Sequence, residues 1–302
     1  MKKVSIVICW QAGTEPMIRT CIASIERHTD SDLINELILV SAESNVPNNP
    51  IDWDCKLNIV NMNLDNIAGQ SSKRHGAMLD VVIPDKLSKS SDYVISMDSD
   101  CFPIADGWLN ELKEMIDGGN SCVGILHPWA PPPLDLKQNT IEYRVRNQHN
   151  WEATHVACQM MPIELVVALK AEGAKYNGGD DTGLLFPKMI KAKGLKIDGF
   201  KPTRCPIVKN SDLDPEFNRY SCIVYGDKVY HHGGFSRNTL DGNKMVFGNS
   251  VGWVQDIILE NKGAEFLLEY KNSYKFKLDR EEEVAKEKMQ RLFGLKAQNM
   301  KG

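Results

Sequence analysis

Short β-branched runs alternate with helical patterns from Val4 to Leu126, and this alternation constrains the chain more than any other feature. It argues for βαβ units built on a largely parallel sheet. Val4 to Trp10 reads as a buried first strand. Met17, Ile18, Cys21, Ile22 and Ile25 follow at the spacing of one helix face, and Thr14 offers its N-cap. Glu36 to Val40 and Leu57 to Met62 predict two more strands. A helix start lies between Gly69 and Leu79, with Lys73 and Arg74 in its first turns. Tyr93 to Met97 reads as a fourth strand ending at Asp98-Ser99-Asp100. Asp106 is expected to cap a helix with Trp108, Leu109, Leu112, Met115 and Ile116 on its apolar face, and Cys122 to Leu126 predicts another strand.

The pattern then changes. His127-Pro128-Trp129-Ala130-Pro131-Pro132-Pro133 cannot be regular structure, because proline lacks the amide donor and restricts the residue before it. Beyond it, Pro162 to Ala171 reads as a helix. Gly178-Gly179-Asp180-Asp181 reads as a turn into a second helix, from Thr182 to Lys193. Ile223 to Tyr230 reads as one strand ending at His231-His232. Residues 233–252 have the Gly, Asn and Ser content of a mobile loop, and Glu281 to Leu295 form an amphipathic pattern. The expectation is an α/β fold in three stretches: 1–126, 127–237, and a C-terminal extension 238–302.

Composition excludes several classes. The 302 residues carry 36 Lys+Arg against 40 Asp+Glu, so the formal charge is −4 and there is no basic excess for coating nucleic acid. With 42% hydrophobic residues, disorder is not the dominant state. None of the eight cysteines forms a C-x-x-C pair, which argues against a structural zinc site, and most sit in apolar runs as reduced thiols would. No stretch approaches the ~20 apolar residues of a membrane helix, and Val4 to Trp10 is too short and β-branched for a signal peptide. The expectation is a cytoplasmic protein without a transmembrane segment.

Asp-x-Asp is a poor signal alone. With 22 aspartates, chance supplies about 1.6 such pairs, and the chain has four: Asp30/Asp32, Asp52/Asp54, Asp98/Asp100 and Asp212/Asp214. Only Asp98 and Asp100 end a wholly apolar strand. Ligands of open α/β sheets bind at the carboxyl ends of strands. Residues i and i+2 of an extended chain point the same way, so both carboxylates can reach one cation, whose shell phosphate oxygens would complete.

Tyr93 to Pro103 resembles the metal-binding strand end of GT-A-fold glycosyltransferases, family 2 in particular. Asn177-Gly178-Gly179-Asp180-Asp181 is similar to the W-G-G-E-D segment of galactosyltransferase-like members. Tyr230 to Ser236 is similar to the late histidine segment that completes the metal shell. The similarity spans residues 3–237. It implies a mostly parallel Rossmann-like sheet flanked by helices, a nucleotide-sugar donor (UDP-linked in many relatives), and Mn²⁺ or Mg²⁺. Carried across, Asp98 and Asp100 hold the metal with His231 or His232; the H-x-G-G-x-S spacing favours His231. Asp180 holds the acceptor hydroxyl and Asp181 is the base. Two positions depart from the pattern. Glu43 stands near where many relatives use Asp to hold uracil or ribose, and Asn177 replaces Trp, leaving sugar and acceptor preference open.

The residue types suit the chemistry. A divalent ion neutralises the leaving diphosphate, and a carboxylate takes the acceptor proton. In-line displacement assisted by such a base inverts the anomeric centre. Lys73 and Arg74 at a helix start, and Ser236 and Arg237 in the Gly-rich segment, are candidate diphosphate contacts, or else solvated surface. A glycan, a lipid-linked sugar, a protein and a modified nucleic-acid base all remain open as acceptor. Three alternatives stand beside this reading. A haloacid-dehalogenase-like phosphohydrolase also follows an apolar strand with Asp-x-Asp. Nucleotidyl transfer uses a similar sheet but wants a G-x-G-T-R-type loop, which Trp10 to Glu15 does not supply. The third is a non-catalytic carbohydrate-binding relative.

Overall fold

A computed structural model describes residues 2–10, 15–42, 56–64, 67, 72–83, 87, 91–127, 153–178, 182–204 and 223–231. By internal contacts the chain divides into units Met1–Asp241 and Gly242–Gly302, and every described residue falls in the first. The expected helix from Glu281 to Leu295, the segment 232–252, Thr14 and Trp129 therefore lie outside the described residues.

The strands are β1 (Val4–Cys9), β2 (Ile34–Ser41), β3 (Ile59–Asn63), β4 (Tyr93–Asp98), β5 (Cys101–Pro103), β6 (Cys122–Leu126), β7 (Thr154–Pro162), β8 (Ile197–Phe200), β9 (Pro202–Arg204), β10 (Ile223–Tyr225) and β11 (Val229–His231). The helices are α1 (Glu15–His28), α2 (Ser72–Val82), α3 (Trp108–Asp117), α4 (Ile163–Ala171) and α5 (Leu185–Ala192). Seven strands form one sheet in the order β3-β2-β1-β4-β7-β6-β8. All run the same way except β7, which is antiparallel to both β4 and β6. The expected α/β class with a mostly parallel sheet flanked by helices is what the chain adopts. A second sheet, β5-β11-β10-β9, is wholly antiparallel.

Strands buried on both faces read as continuous apolar runs, because helices cover each side. Val7, Cys9, Ile38, Val40 and Val94 pack with Met78, Leu79 and Val82 of α2, Val166 and Leu169 of α4, and Phe186 and Ile190 of α5. The alternate residues Ile6, Ile8, Leu37, Leu39, Ile95 and Met97 are at most 1% exposed and turn to the other face. There the Cys21 thiol of α1 reaches Met97 Sδ at 4.0 Å, and Trp108 of α3 donates its indole N–H to Thr29 Oγ1 at 2.8 Å. Ile18, Cys21, Ile22 and Ile25 form the buried stripe of α1, at the spacing the sequence shows. Among the described residues no helix is long and apolar enough to cross a membrane.

Three local expectations change. The segment from Ile223 to Tyr230 is not one strand but the β10–β11 hairpin. Gly226 (φ +58°) and Asp227 (φ +52°) both adopt positive φ, and Lys228 N–H returns to Tyr225 O at 2.9 Å. Positive φ at both central residues makes a type I′ turn, whose twist matches the flanking strands, so the Gly-Asp pair outweighs the apolar run. Asp106 does not cap α3. Gly107, at φ +79°, holds the N-cap position without a side-chain bond, and the Asp106 carboxylate instead pairs with His28 Nδ1 at 2.7 Å. β7 was not foreseen as a strand. Its central residues Val156-Ala157-Cys158 show no alternation, because both of its faces are buried.

The sheet is tight where β6 meets its neighbours. A Cβ on Gly124 would stand 2.0 Å from Cys158 O, and one on Gly199 would stand 2.0 Å from Gly124 O. Backbone carbonyls cannot yield as a flexible side chain does. Gly124→Ala is therefore expected to destabilise the protein by about 3 kcal/mol or more, at the upper end of overpacking effects. Urea unfolding followed by circular dichroism would measure this.

Candidate functional site

β4 is buried until its last residue, where Asp98 emerges with a quarter of its side chain exposed. The strand lies between β1 and β7 near the middle of the sheet, so Asp98 stands at the carboxyl edge where open α/β sheets bind ligands. The chain turns through Ser99 and Asp100 into β5. Pairing of β5 with β11 sets His231 opposite Cys101. His231 Nε2 thus comes within 3.9 Å of Asp98 Oδ2 and 3.8 Å of Asp100 Oδ1. Both Asp100 and His231 are buried. The contrast with Asp30/Asp32 is instructive, for there Asp30 simply accepts the Asp32 N–H at 2.9 Å and caps a single 3₁₀ turn.

Three further imidazoles gather at this edge. His155, at the start of β7, offers a ring nitrogen within 4.8 Å of the ligand atoms of Asp98 and His231. Because β7 runs against β4, its beginning lies beside the end of β4. Its Nδ1 accepts the Ala157 N–H at 3.1 Å, so the neutral ring carries its proton on Nε2. His127 follows β6; its ring lies 4.9 Å from that of His155, and its Nδ1 bonds the Tyr225 hydroxyl at 2.8 Å. His75, on α2, approaches Asp98 from the other side, with Nε2 3.4 Å from Oδ1. Neither of those two atoms makes a hydrogen bond, although both are buried. A carboxylate oxygen buried without a partner costs stability unless another group completes it. Asp98 and Asp100 each come within 4 Å of His231, and Asp98, His155 and His231 place ligand atoms within 4.8 Å of one another, a donor set that suits a divalent cation.

α2 itself is pinned from the far side. Asp80 accepts the Tyr176 N–H at 2.8 Å on Oδ1 and the Asn177 N–H at 2.9 Å on Oδ2. Lys170 Nζ adds bonds to the carbonyls of Asp80 and Ile83 at 2.7 and 2.6 Å. Gly76 permits this approach, since a Cβ there would meet Tyr176 O and Asn177 Cα at 2.7 Å.

The candidate residues separate as follows. Asp98, Asp100 and His231 come together. Arg74 is half-buried and donates from Nη2 to Ala42 O, just past the carboxyl end of β2, while Lys73 is exposed. Glu43, Asp180, Asp181, His232, Ser236 and Arg237 lie outside the described residues. His75, His127, His155 and Asp80 carried no local signal. Each is a single polar residue whose neighbours come from distant parts of the chain.

Buried thiols lie behind the acids without joining them. Burial pushes the Cys9, Cys21 and Cys101 thiols well above their ordinary range, helped by the charge of Asp98 or Asp100, and pushes Cys122 up to about 12. A protonated thiol is neither nucleophile nor metal ligand. In native protein at pH 8, iodoacetamide should leave Cys9, Cys21, Cys101 and Cys122 unmodified and should label them once denaturant is added. Peptide mass spectrometry would check this.

No protein-family model and no curated protein matches this chain. Among solved structures, it is similar to the 4-diphosphocytidyl-2C-methyl-D-erythritol synthase of Anaerococcus prevotii, at 13% identity and a TM-score of 0.45, over 66% of this chain and 89% of that one. It is also similar to a mannosyltransferase of Pyrobaculum calidifontis in complex with GDP-Man and Mn²⁺, at 14% identity and a TM-score of 0.47, over 65% of this chain. The likeness spans about half, 54%, of the mannosyltransferase.

Proposed function

We propose that this protein is a metal-dependent glycosyltransferase that moves a sugar from a nucleotide-diphosphate donor, UDP-linked in our reading, to an acceptor hydroxyl with inversion. The observation that carries the reading is the meeting of Asp98, Asp100 and His231 at the carboxyl edge of a mostly parallel sheet. Asp98, Asp100 and His231 would hold the divalent ion, which supplies Lewis-acid neutralisation of the diphosphate. One imidazole beside two carboxylates favours Mn²⁺ over Mg²⁺, since imidazole suits later transition metals and Mg²⁺ prefers all-oxygen shells. The tautomer of His155 makes it a hydrogen-bond donor beside this set.

The remaining roles rest on the resemblance. Asp180 orients the acceptor hydroxyl, and Asp181 takes its proton as the oxygen attacks the anomeric carbon. The anomeric C–O bond breaks as that attack proceeds, and the electron pair leaves with the diphosphate. Glu43, which follows β2 in the sequence, is assigned to the donor's base and ribose, and Arg74, which donates to Ala42 O, to its diphosphate. Lys73, Ser236 and Arg237 are assigned to the diphosphate, with His232 kept as the alternative late histidine.

The test is a panel of UDP-, GDP- and ADP-sugars with Mn²⁺, read by thermal shift and by slow donor hydrolysis. Release of a nucleoside diphosphate supports glycosyl transfer; pyrophosphate from a nucleoside triphosphate would favour nucleotidyl transfer, and phosphate from simple monoesters a phosphohydrolase. Asp100→Ala is expected to remove Mn²⁺-dependent donor binding, and Asp181→Ala to bind donor yet lose at least a hundredfold in turnover, as removal of a general base does. EDTA should abolish the donor-induced thermal shift, and Mn²⁺ should restore it at lower concentration than Mg²⁺. An α-linked product from an α-linked donor by NMR would overturn inversion.

A further inference from the structure

We infer that His75 is a positioning residue that holds Asp98 in the orientation needed to bind a divalent cation; this rests on reading Asp98 as a metal carboxylate. The two oxygens of Asp98 face different partners. Oδ2 is turned to His231 Nε2 at 3.9 Å, and Oδ1 is turned to His75 Nε2 at 3.4 Å. Both Oδ1 and His75 Nε2 are buried and without a hydrogen bond, and they face each other at 3.4 Å. A carboxylate facing an imidazole nitrogen selects the tautomer with its proton there, which makes Nε2–H the donor. A charge-assisted bond between them would close the pair from 3.4 Å to about 2.8 Å.

The backbone that carries His75 is fixed both at the far end of its helix and at the neighbouring Gly76. The two amides on Asp80, the Lys170 ammonium on the carbonyls of Asp80 and Ile83, and the contact of Gly76 with Tyr176 and Asn177 leave α2 little freedom to slide or turn. His75 is therefore presented by a clamped element. Metal-binding carboxylates are themselves hydrogen-bonded, and loss of such an outer partner weakens metal affinity by about 10–100-fold. Held through Oδ1, Asp98 presents Oδ2 to a cation shared with Asp100 and His231.

Mn²⁺ binding to the full chain, followed by electron paramagnetic resonance without nucleotide, tests this. His75→Ala should weaken Mn²⁺ about 10–100-fold while the circular dichroism spectrum and melting remain those of the wild type. His75→Gln, which keeps an N–H donor, should recover most of the affinity and the wild-type Mn²⁺ line shape. Asp80→Ala, which frees α2, should lose part of it. Unchanged Mn²⁺ affinity in His75→Ala, or a His75→Gln variant as weak as His75→Ala, would overturn the assignment. Failure of the wild-type chain to bind Mn²⁺ would instead overturn the metal reading on which it rests.

Discussion

Two carboxylates converging on one imidazole at the end of a buried strand are the constraint around which the rest of this structure is arranged. Asp98 reaches that point because β4 is buried up to its final residue and lies deep in the sheet between β1 and β7. Asp100 and His231 reach it because β5 leaves the same turn and pairs with β11, three residues against three. Acids gathered this way are costly to bury unless something of opposite charge, or several donors, answers them. Among the described residues the groups seen beside these acids are the imidazoles of His75, His155 and His231. Imidazoles answer carboxylates without filling the space with fixed positive charge, and they leave a dication able to compete.

The second sheet has a specific part in this. It is small, and its strands are three residues long. Its turn at Gly226-Asp227 is braced by Thr203, whose hydroxyl bonds Asp227 Oδ1 at 2.9 Å. Tyr225 on β10 ties to His127 at the end of β6, and Tyr230 on β11 packs its ring 5.2 Å from Phe102. The antiparallel ribbon thereby joins the strand end that bears the acids to the strand end on the other side of β7. His231 is set by strand pairing, His127 by the Tyr225 hydroxyl and His155 by the Ala157 amide, which limits how far any of the three can drift.

Much of this was legible in the residues and some was not, for a physical reason. β1, β2, β4 and α1 declare themselves because their signal is local: continuous β-branched runs and a stripe at positions 18, 21, 22 and 25. Asp98 and Asp100 were legible because strand and acids are contiguous. His127 and His155 were illegible because their proximity depends on β7 entering the sheet backwards, and His75 because its approach to Asp98 depends on how α2 docks, facts no window of sequence contains. The β10–β11 turn was misread even though Gly226-Asp227 signals it, since an apolar run outweighed a two-residue cue. Asp80 carries no local signal either; its partners are two backbone amides almost a hundred residues away.

The reversal of β7 has one more consequence. Leu126 at the end of β6 pairs with Thr154 at the start of β7, so the chain between them departs from and returns to neighbouring points on one edge of the sheet. Both anchors are fixed by strand pairing, and the entropy of closing a connection grows only logarithmically, about 0.6 kcal/mol for each doubling. Insertions or deletions there would leave the register of every strand untouched. Length changes between these two anchors therefore cost the fold little, and the acids and imidazoles at the sheet edge keep the positions that strand pairing gives them.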